Sequence, residues 1–350
     1  MLEAPPRRLL IHEILDRLLA GDPLSESQAE EVMDQILAGE LGPERIAALV
    51  VALRAKGPVA DELVGFARGM RARSHRIKAR GVVLDNCGTG GALCKTFNIS
   101  TAASFVLAGA GITVAKHGNR SVTRPSGSAD VLERGGAELD LTPEQCQAVL
   151  DETGIAFLFA PTFHPAMRHA GPVRQALGIK TVFNLLGPLT NPAQATHQVL
   201  GVYDPSLVQV MAEALARLGV QEGFVLHGLP GHDEATPCGP IRYVRIQHGI
   251  TGELTDVEPE DLGVPACRPE DLEPVAADDA PTLMQAILDG TETGARAYAV
   301  ALNVAFGLVA TGRAYDLRAG VTKAQELLAS GVGKDKWEAF VAATRSHHGG

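Results

Sequence analysis

The sequence predicts an α/β protein opened by a small helical unit, and three observations predict it. Helical periodicity without strand signal fills roughly the first 75 residues. Short apolar strands then alternate with helices, and glycine-bearing turns follow directly after two of those strands. At 350 residues the chain is long enough for one large and one small domain.

The opening helices are read from their apolar spacing. Ile11, Ile14, Leu15 and Leu18 recur on one face, then Ala29, Val32, Met33 and Ile36 on the next. Ser25 with Gln28 fits a capping box, and Pro43 fits a first helical turn ahead of Ile46, Leu49, Val50 and Leu53. Leu63, Phe66, Ala67 and Met70 predict a fourth helix. The basic run at 71–80 breaks this pattern and marks a linker, although a solvated basic loop explains the charges equally. Beyond it, apolar runs at 82–84, 112–115, 156–159, 199–202 and 224–226 predict strands. Helices are expected at 100–109, 143–152 and 207–218, and later at 282–288, 295–310, 317–328 and 334–343. Residues 241–254 read as extended or turn-rich.

Composition narrows the function. No run of about 18 apolar residues is present, and no charged-then-apolar leader, so a soluble, cytoplasmic protein with no membrane partner is expected. The five cysteines form no CxxC pair, which points to reduced thiols rather than zinc or disulfides. A net charge of -10 argues against nucleic-acid binding, which needs a positive surface. An anionic ligand must therefore be held by local groups.

Such groups cluster after the strands. Residues 85–91 (DNCGTGG) follow the first strand, and Asn98, Ile99, Ser100 and Thr101 open a helix behind them. Glycines let backbone approach a diphosphate, and a helix N-terminus adds favourable partial charge. A plain tight turn explains GTGG alone. Residues 116–121 (KHGNRS) place Lys116, His117, Gly118, Asn119 and Arg120 after the second strand, where the two cations can neutralise phosphate oxygens. Residues 126–130 (SGSAD) offer hydroxyls, Ser128 among them, and can also simply cap the next helix. Asp233 and Glu234 follow the strand at 224–226. Adjacent carboxylates there suit Mg2+, which binds through a few carboxylates plus substrate phosphates. Ser100 offers a further oxygen. Arg168, His169 and Arg174 lie in 164–178, and Arg174 suits bidentate capture of a carboxylate, as it would equally suit a surface ion pair.

Taken together, these residues resemble the anthranilate phosphoribosyltransferase family. The similarity runs over about residues 10–344 and includes GTGG, TFNIST at 96–101, KHGNRS at 116–121, SGSADVLE at 126–133, FLFAP at 157–161, RHAGPVR at 168–174 and NLLGPLTNP at 184–192. KHGNRS and NLLGPLTNP are the most specific. The resemblance implies a fold like that of nucleoside phosphorylases and phosphoribosyltransferases: a helical domain at 1–75 with a returning segment near 164–190, and an α/β domain at 80–345 with a central mixed sheet. It implies a homodimer, a site in the hinge cleft, and transfer of the phosphoribosyl group from 5-phosphoribosyl 1-diphosphate to anthranilate in tryptophan biosynthesis. Carried over position by position, Gly88, Gly91, Thr96, Asn98, Ile99, Ser100, Thr101, Lys116, His117, Gly118, Asn119, Arg120 and Ser128 would contact the donor. Gly88, Asn119 and Arg174 would receive anthranilate. Ser100, Asp233 and Glu234 would hold Mg2+, and no residue would act as a catalytic nucleophile.

Three departures stand out. The family continues GTGG with aspartate, whereas Ala92 stands here, followed by a charged Lys95 that would compensate by meeting diphosphate. Arg124 and Pro125 replace small hydroxyl residues, and His232 replaces a leucine before the acidic pair. A relative using another acceptor, such as a pyrimidine nucleoside phosphorylase, and a non-catalytic binding protein are the rival readings. Arg174 and KHGNRS oppose the first, and the retained acidic pair opposes the second.

Overall fold

The computed structural model describes residues 10–121 and 126–349. The chain forms two compact units. One takes the chain up to Ser74 and again over His164–Thr190, and the other takes His75–Phe163 and the chain from Asn191 onward.

The first unit is helical. Helices α1 (Ile11–Leu19), α2 (Glu26–Leu37), α3 (Pro43–Lys56) and α4 (Ala60–Ala72) bury the apolar faces set by their sequence spacing. Helix α2 starts at a capping box in which the Gln28 amide N–H donates to the Ser25 hydroxyl and the Ser25 N–H to the Gln28 side chain. Pro43 opens α3, whose last turn is stopped by Gly57 at a φ of 90°. The buried carboxylate of Glu62 is satisfied by the Leu24 N–H at 3.0 Å and by Lys56 at 2.9 Å. The returning segment adds a 3-10 turn, Pro165–His169, and short helices Gly171–Leu177 and Phe183–Leu186.

The second unit is built on a mixed seven-stranded sheet. Strands β1 (Val83–Gly88), β2 (Thr113–Gly118), β3 (Ile155–Phe159), β4 (His197–Gly201), β5 (Glu222–Gly228), β6 (Ile241–Gln247) and β7 (Ile250–Val257) lie in the order β3-β2-β1-β4-β5-β6-β7. The first five are parallel, and β5, β6 and β7 are antiparallel neighbours. Parallel strands are covered on both faces, so they read as continuous apolar runs. Strand β1 continues past the apolar run at 82–84 through Asp85, Asn86 and Cys87, which are buried despite their polarity. Residues 241–254 are extended with a turn, as expected. They belong to a β-hairpin that turns at His248 and Gly249, with φ of 52° and 73°. Most of β7 is exposed, so its hydrophobic pattern is weak.

Helix α5 (Ile99–Gly109) packs on β1 and β2, and helices Ala295–Ala310 and Val332–His348 pack against it. Helices α6 (Ser128–Arg134) and α7 (Pro143–Thr153) lead from β2 to β3. Phe105 meets Trp337 and Phe340 edge-on, and Phe224 meets Phe306 with centroids 5.0 Å apart. Helix Ala295–Ala310 is buried without interruption over residues 299–310, and Asn303 is the one side-chain amide in that stretch. No helix among the described residues is long and apolar enough to cross a membrane. The strand order reverses at β1, which lies between β2 and β4, and the crevice of such a sheet opens beyond the carboxyl ends of those strands.

Candidate active site

The loop after β1 lies across the end of β4. The Thr89 N–H donates to the Gly201 carbonyl at 2.9 Å, and the Tyr203 N–H donates to the Thr89 hydroxyl at 3.0 Å. Gly90 and Gly91 hold φ of 67° and 75°, a conformation that L side chains rarely adopt. The loop then runs to Asn98, whose side-chain amide donates to the Ser126 carbonyl at 3.2 Å, and α5 begins at Ile99. The Glu234 carboxylate takes the positive end of this helix, accepting from the Ser100 N–H at 3.1 Å and from the Thr96 hydroxyl at 2.6 Å. Asp233 lies beside both glycine strand ends. A Cβ on Gly88 would come 3.2 Å from its carboxylate, and one on Gly201 would come 1.7 Å from its carbonyl oxygen.

Lys116 sits beneath this loop, 4% exposed. Its ammonium donates to the Asn86 carbonyl and, at 3.4 Å, to the Ser100 hydroxyl. Burial pulls the Lys116 pKa down, while the charges of Asp85, Cys87 and Glu234 push it up. Asp85 is fully enclosed and accepts from the His117 N–H at 3.3 Å. Burial raises its pKa, against hydrogen bonding from Asn191 and the charge of Lys116. The neighbouring Cys87 thiol lies well above its ordinary range, with burial the main cause and the Asp85 charge the next. Asn191, from the NLLGPLTNP segment, ties this layer to β2 by donating to the Ala115 carbonyl at 2.8 Å.

Beyond Lys116, Gly118 faces Phe157 and the Ser128 hydroxyl so closely that a Cβ would come within 2.5 Å of the ring. Asn119 and Arg120 are exposed at the end of β2. The Arg120 guanidinium pairs with Glu133 and lies 4.7 Å from the centre of the Phe159 ring. Ser128 donates to the Asn119 carbonyl at 3.3 Å. The Asp130 carboxylate accepts from the Ser121 N–H at 2.9 Å and the Gly127 N–H at 2.7 Å, bringing these two residues together. Arg124 and Pro125 lie outside the described residues. The side chains of Ile99 and Thr101 are buried in the core face of α5, and the Ile99 N–H is taken by the Phe97 carbonyl. Lys95 is exposed and Ala92 half-buried.

Thus Gly88, Gly91, Thr96, Asn98, Ser100, Lys116, His117, Gly118, Asn119, Arg120, Ser128, Asp233 and Glu234 all belong to the α/β unit; Gly88 and Lys116, His117 and Gly118 are the last residues of β1 and β2 rather than residues after them, and the others lie on the loops and helix starts that follow the strands. Arg174 belongs to the helical unit, where it is exposed on Gly171–Leu177 with its guanidinium 5.6 Å from the Phe183 ring centre. Arg168 is exposed, and His169 packs against Gly39. Sequence reasoning gives Asp85 and Asn303 no role of their own, and takes Asp130 only as part of a cap. The available signal for the first two was a polar residue inside an otherwise apolar buried run.

Asp233, Glu234 and Ser100 supply only oxygen donors, and too few to enclose an ion. No group of three His, Cys, Asp or Glu side chains able to hold a metal occurs among the described residues. An incomplete oxygen set fits Mg2+, which keeps waters and shares the phosphates of its substrate.

The profile described as "Glycosyl transferase family, a/b domain" matches residues 80–334, and "Glycosyl transferase family, helical bundle domain" matches residues 12–74. Anthranilate phosphoribosyltransferase of Moorella thermoacetica is 47% identical over 95% of this chain and 98% of its own. That of Desulfatibacillum aliphaticivorans is 45% identical over 97% and 100%. The crystal structure of the Thermus thermophilus enzyme superposes with a TM-score of 0.89 at 42% identity, covering 95% of this chain and 99% of that one. The chain belongs to the anthranilate phosphoribosyltransferases. A more distant family member, from Saccharomyces cerevisiae, superposes at a TM-score of 0.88 and 25% identity, covering 96% and 98%, and was solved in complex with 5-phosphoribosyl 1-diphosphate and Mg.

Proposed function

We infer that this enzyme transfers the 5-phosphoribosyl group from 5-phosphoribosyl 1-diphosphate to anthranilate, releasing diphosphate, in tryptophan biosynthesis. The observation that carries the reading is the meeting of the Gly88 loop, the α5 N-terminus and the Asp233–Glu234 pair at the carboxyl edge of one parallel sheet.

The anthranilate nitrogen forms a bond to the ribosyl anomeric carbon as the bond to the diphosphate oxygen breaks, and the nitrogen then loses a proton to solvent. An arylamine is neutral at pH 7, so the step needs no strong base. Positioning and stabilisation of the departing charge supply the rate. Backbone at Gly88 and Gly91, together with Thr96, Asn98, Ser100 and Thr101, holds the diphosphate, while Ile99, buried and with its N–H taken by the Phe97 carbonyl, anchors the start of α5. Lys116, His117, Gly118, Asn119, Arg120 and Ser128 complete the donor site. Ser100, Asp233 and Glu234 hold Mg2+, which neutralises charge on the diphosphate when bound. Gly88 and Asn119 sit beside the acceptor, and the Arg174 guanidinium pairs with the anthranilate carboxylate. Lys95 takes over the anchoring lost at Ala92, and Lys95→Ala is expected to weaken donor affinity by about fivefold, the scale of one exposed charge. The enzyme works in the cytoplasm as a homodimer.

Loss of anthranilate fluorescence on mixing protein, Mg2+ and donor tests the whole reading. Persistence of that fluorescence at every protein concentration would sink it.

A further inference from the structure

The residue that follows the acidic pair is paired with a buried helical side chain. Residues 228–240 leave β5, pass through Asp233 and Glu234, and enter β6. Their start is a tight local turn: the Gly228 and His232 backbones exchange hydrogen bonds at 3.0 and 2.7 Å, and buried His232 meets the Thr236 hydroxyl through Nδ1 at 3.2 Å. Their end is tied where the Cys267 N–H donates to the Pro237 carbonyl at 2.8 Å. Between these anchors, where Glu234 also bonds Thr96 and Ser100 through its side chain, the backbone is paired by Asn303. Its amide donates to the Ala235 carbonyl at 2.8 Å and accepts from the Ala235 N–H at 3.3 Å, pairing with the residue next to Glu234 as a neighbouring strand would. The second amide hydrogen is given to the Ala299 carbonyl at 2.8 Å, so the side chain is fixed on its own helix.

A polar side chain placed 2% exposed within twelve consecutive buried helical residues is costly unless hydrogen bonded. An apolar residue would avoid that cost altogether. Here an amide is kept, and two of its three hydrogen bonds go to the backbone of a loop. We propose that Asn303 is a positioning residue for the metal site, locking Ala235 so that the Asp233 and Glu234 carboxylates are presented together to the Mg2+ bound with the diphosphate ester. Asn303 acts through the backbone and does not touch substrate. The proposal rests on the reading that Asp233 and Glu234 hold the metal.

The test is calorimetric titration of 5-phosphoribosyl 1-diphosphate into the full-length protein, once with Mg2+ and once with a chelator. The ratio of the two dissociation constants is the metal-coupled gain. Asn303→Leu keeps the branching at Cγ and removes the amide, and the smaller Asn303→Ser lets water reach Ala235 if the bulkier leucine variant does not fold. The expected result is a gain reduced about tenfold, the scale of one lost hydrogen bond to the Ala235 backbone. Affinity in chelator should stay within about twofold of the parent. In kinetics, the Mg2+ concentration for half-maximal rate rises, saturating Mg2+ restores kcat, and the KM for anthranilate is unmoved. Hydrogen exchange should quicken within 228–240 only. Asp233→Asn separates the two claims. If it keeps the gain, the metal reading fails. If it loses the gain while both Asn303 variants keep it, the positioning role is overturned.

Discussion

Lys116 lies between the Asn86 carbonyl and the Ser100 hydroxyl, within the field of the enclosed Asp85. Removing one member of a buried charged group leaves the other uncompensated, at about 3–5 kcal/mol. Lys116→Met should lose that order of stability in urea melts, and the double variant with Asp85→Asn should recover part of it. Burial raises the Asp85 pKa and Lys116 opposes the rise, so without the lysine the folded-state value moves further above the unfolded one. The stability contribution of such a group is intact below the unfolded pKa and lost as pH climbs through the folded one. The Lys116→Met deficit should therefore shrink as pH is lowered toward the ordinary aspartate value of about 4; a constant deficit would show that Asp85 is not the group left stranded. Arg174 poses a different question, because its side chain is exposed and its value lies in shape. Arg174→Lys keeps the charge and loses the planar fork, so kcat/KM for anthranilate should fall about 10- to 100-fold with the donor KM unchanged. An equal change in both constants would count against its role as the carboxylate receiver.

Among the elements, β4 and the 228–240 segment are matched through one glycine. A Cβ at Gly201 would sit 1.7 Å from the Asp233 carbonyl oxygen, so one of the two backbones must move. Gly201→Ala is expected to cost about 1–3 kcal/mol by overpacking, seen as a lower melting temperature, and to raise the Mg2+ concentration for half-maximal rate. A lower melting temperature with unchanged Mg2+ dependence would separate β4 packing from the acidic pair. This dependence is not legible in the sequence, since Gly201 follows an apolar run and carries no chemistry. The elements themselves are legible where burial is two-sided: β3 follows from its apolar residues, and α5 from the serine and threonine that open it. Strand β7 escapes because its side chains face solvent nearly throughout, and β1 is cut short because Asp85 and Asn86 are polar residues in a buried strand. The motif residues are legible as chemistry. The residues that hold them, Asp85, Asp130 and Asn303, are hidden because their partners, the His117 backbone and Asn191 for the first and backbone groups for the other two, are ones that no spacing rule connects to them.

At the scale of the whole molecule, every cysteine and the single tryptophan lie in the α/β unit, so thiol chemistry and Trp337 fluorescence report on that unit alone. Burial pushes the Cys146 thiol up to about 12 and holds Cys87 well above its ordinary value. The thiolate is the form that reacts with alkylating agents, and in an unfolded chain its pKa returns to about 8.5. At about pH 8.5 these two thiols should thus be inert in the folded unit and reactive once it opens. The folded-state pKa of each lies above the unfolded one, so the unfolded chain releases the proton first and stability falls as pH climbs above about 8.5. Modification of Cys87 and Cys146 in a urea series should accordingly follow the Trp337 transition, and its midpoint should move to lower urea between about pH 7.5 and about pH 9.5. Alkylation of Cys87 well before the fluorescence change would mean that the β1 layer carrying Asp85 and Lys116 opens by itself, separately from the helices that pack on α5, and early alkylation of Cys146 would mean the same of α7.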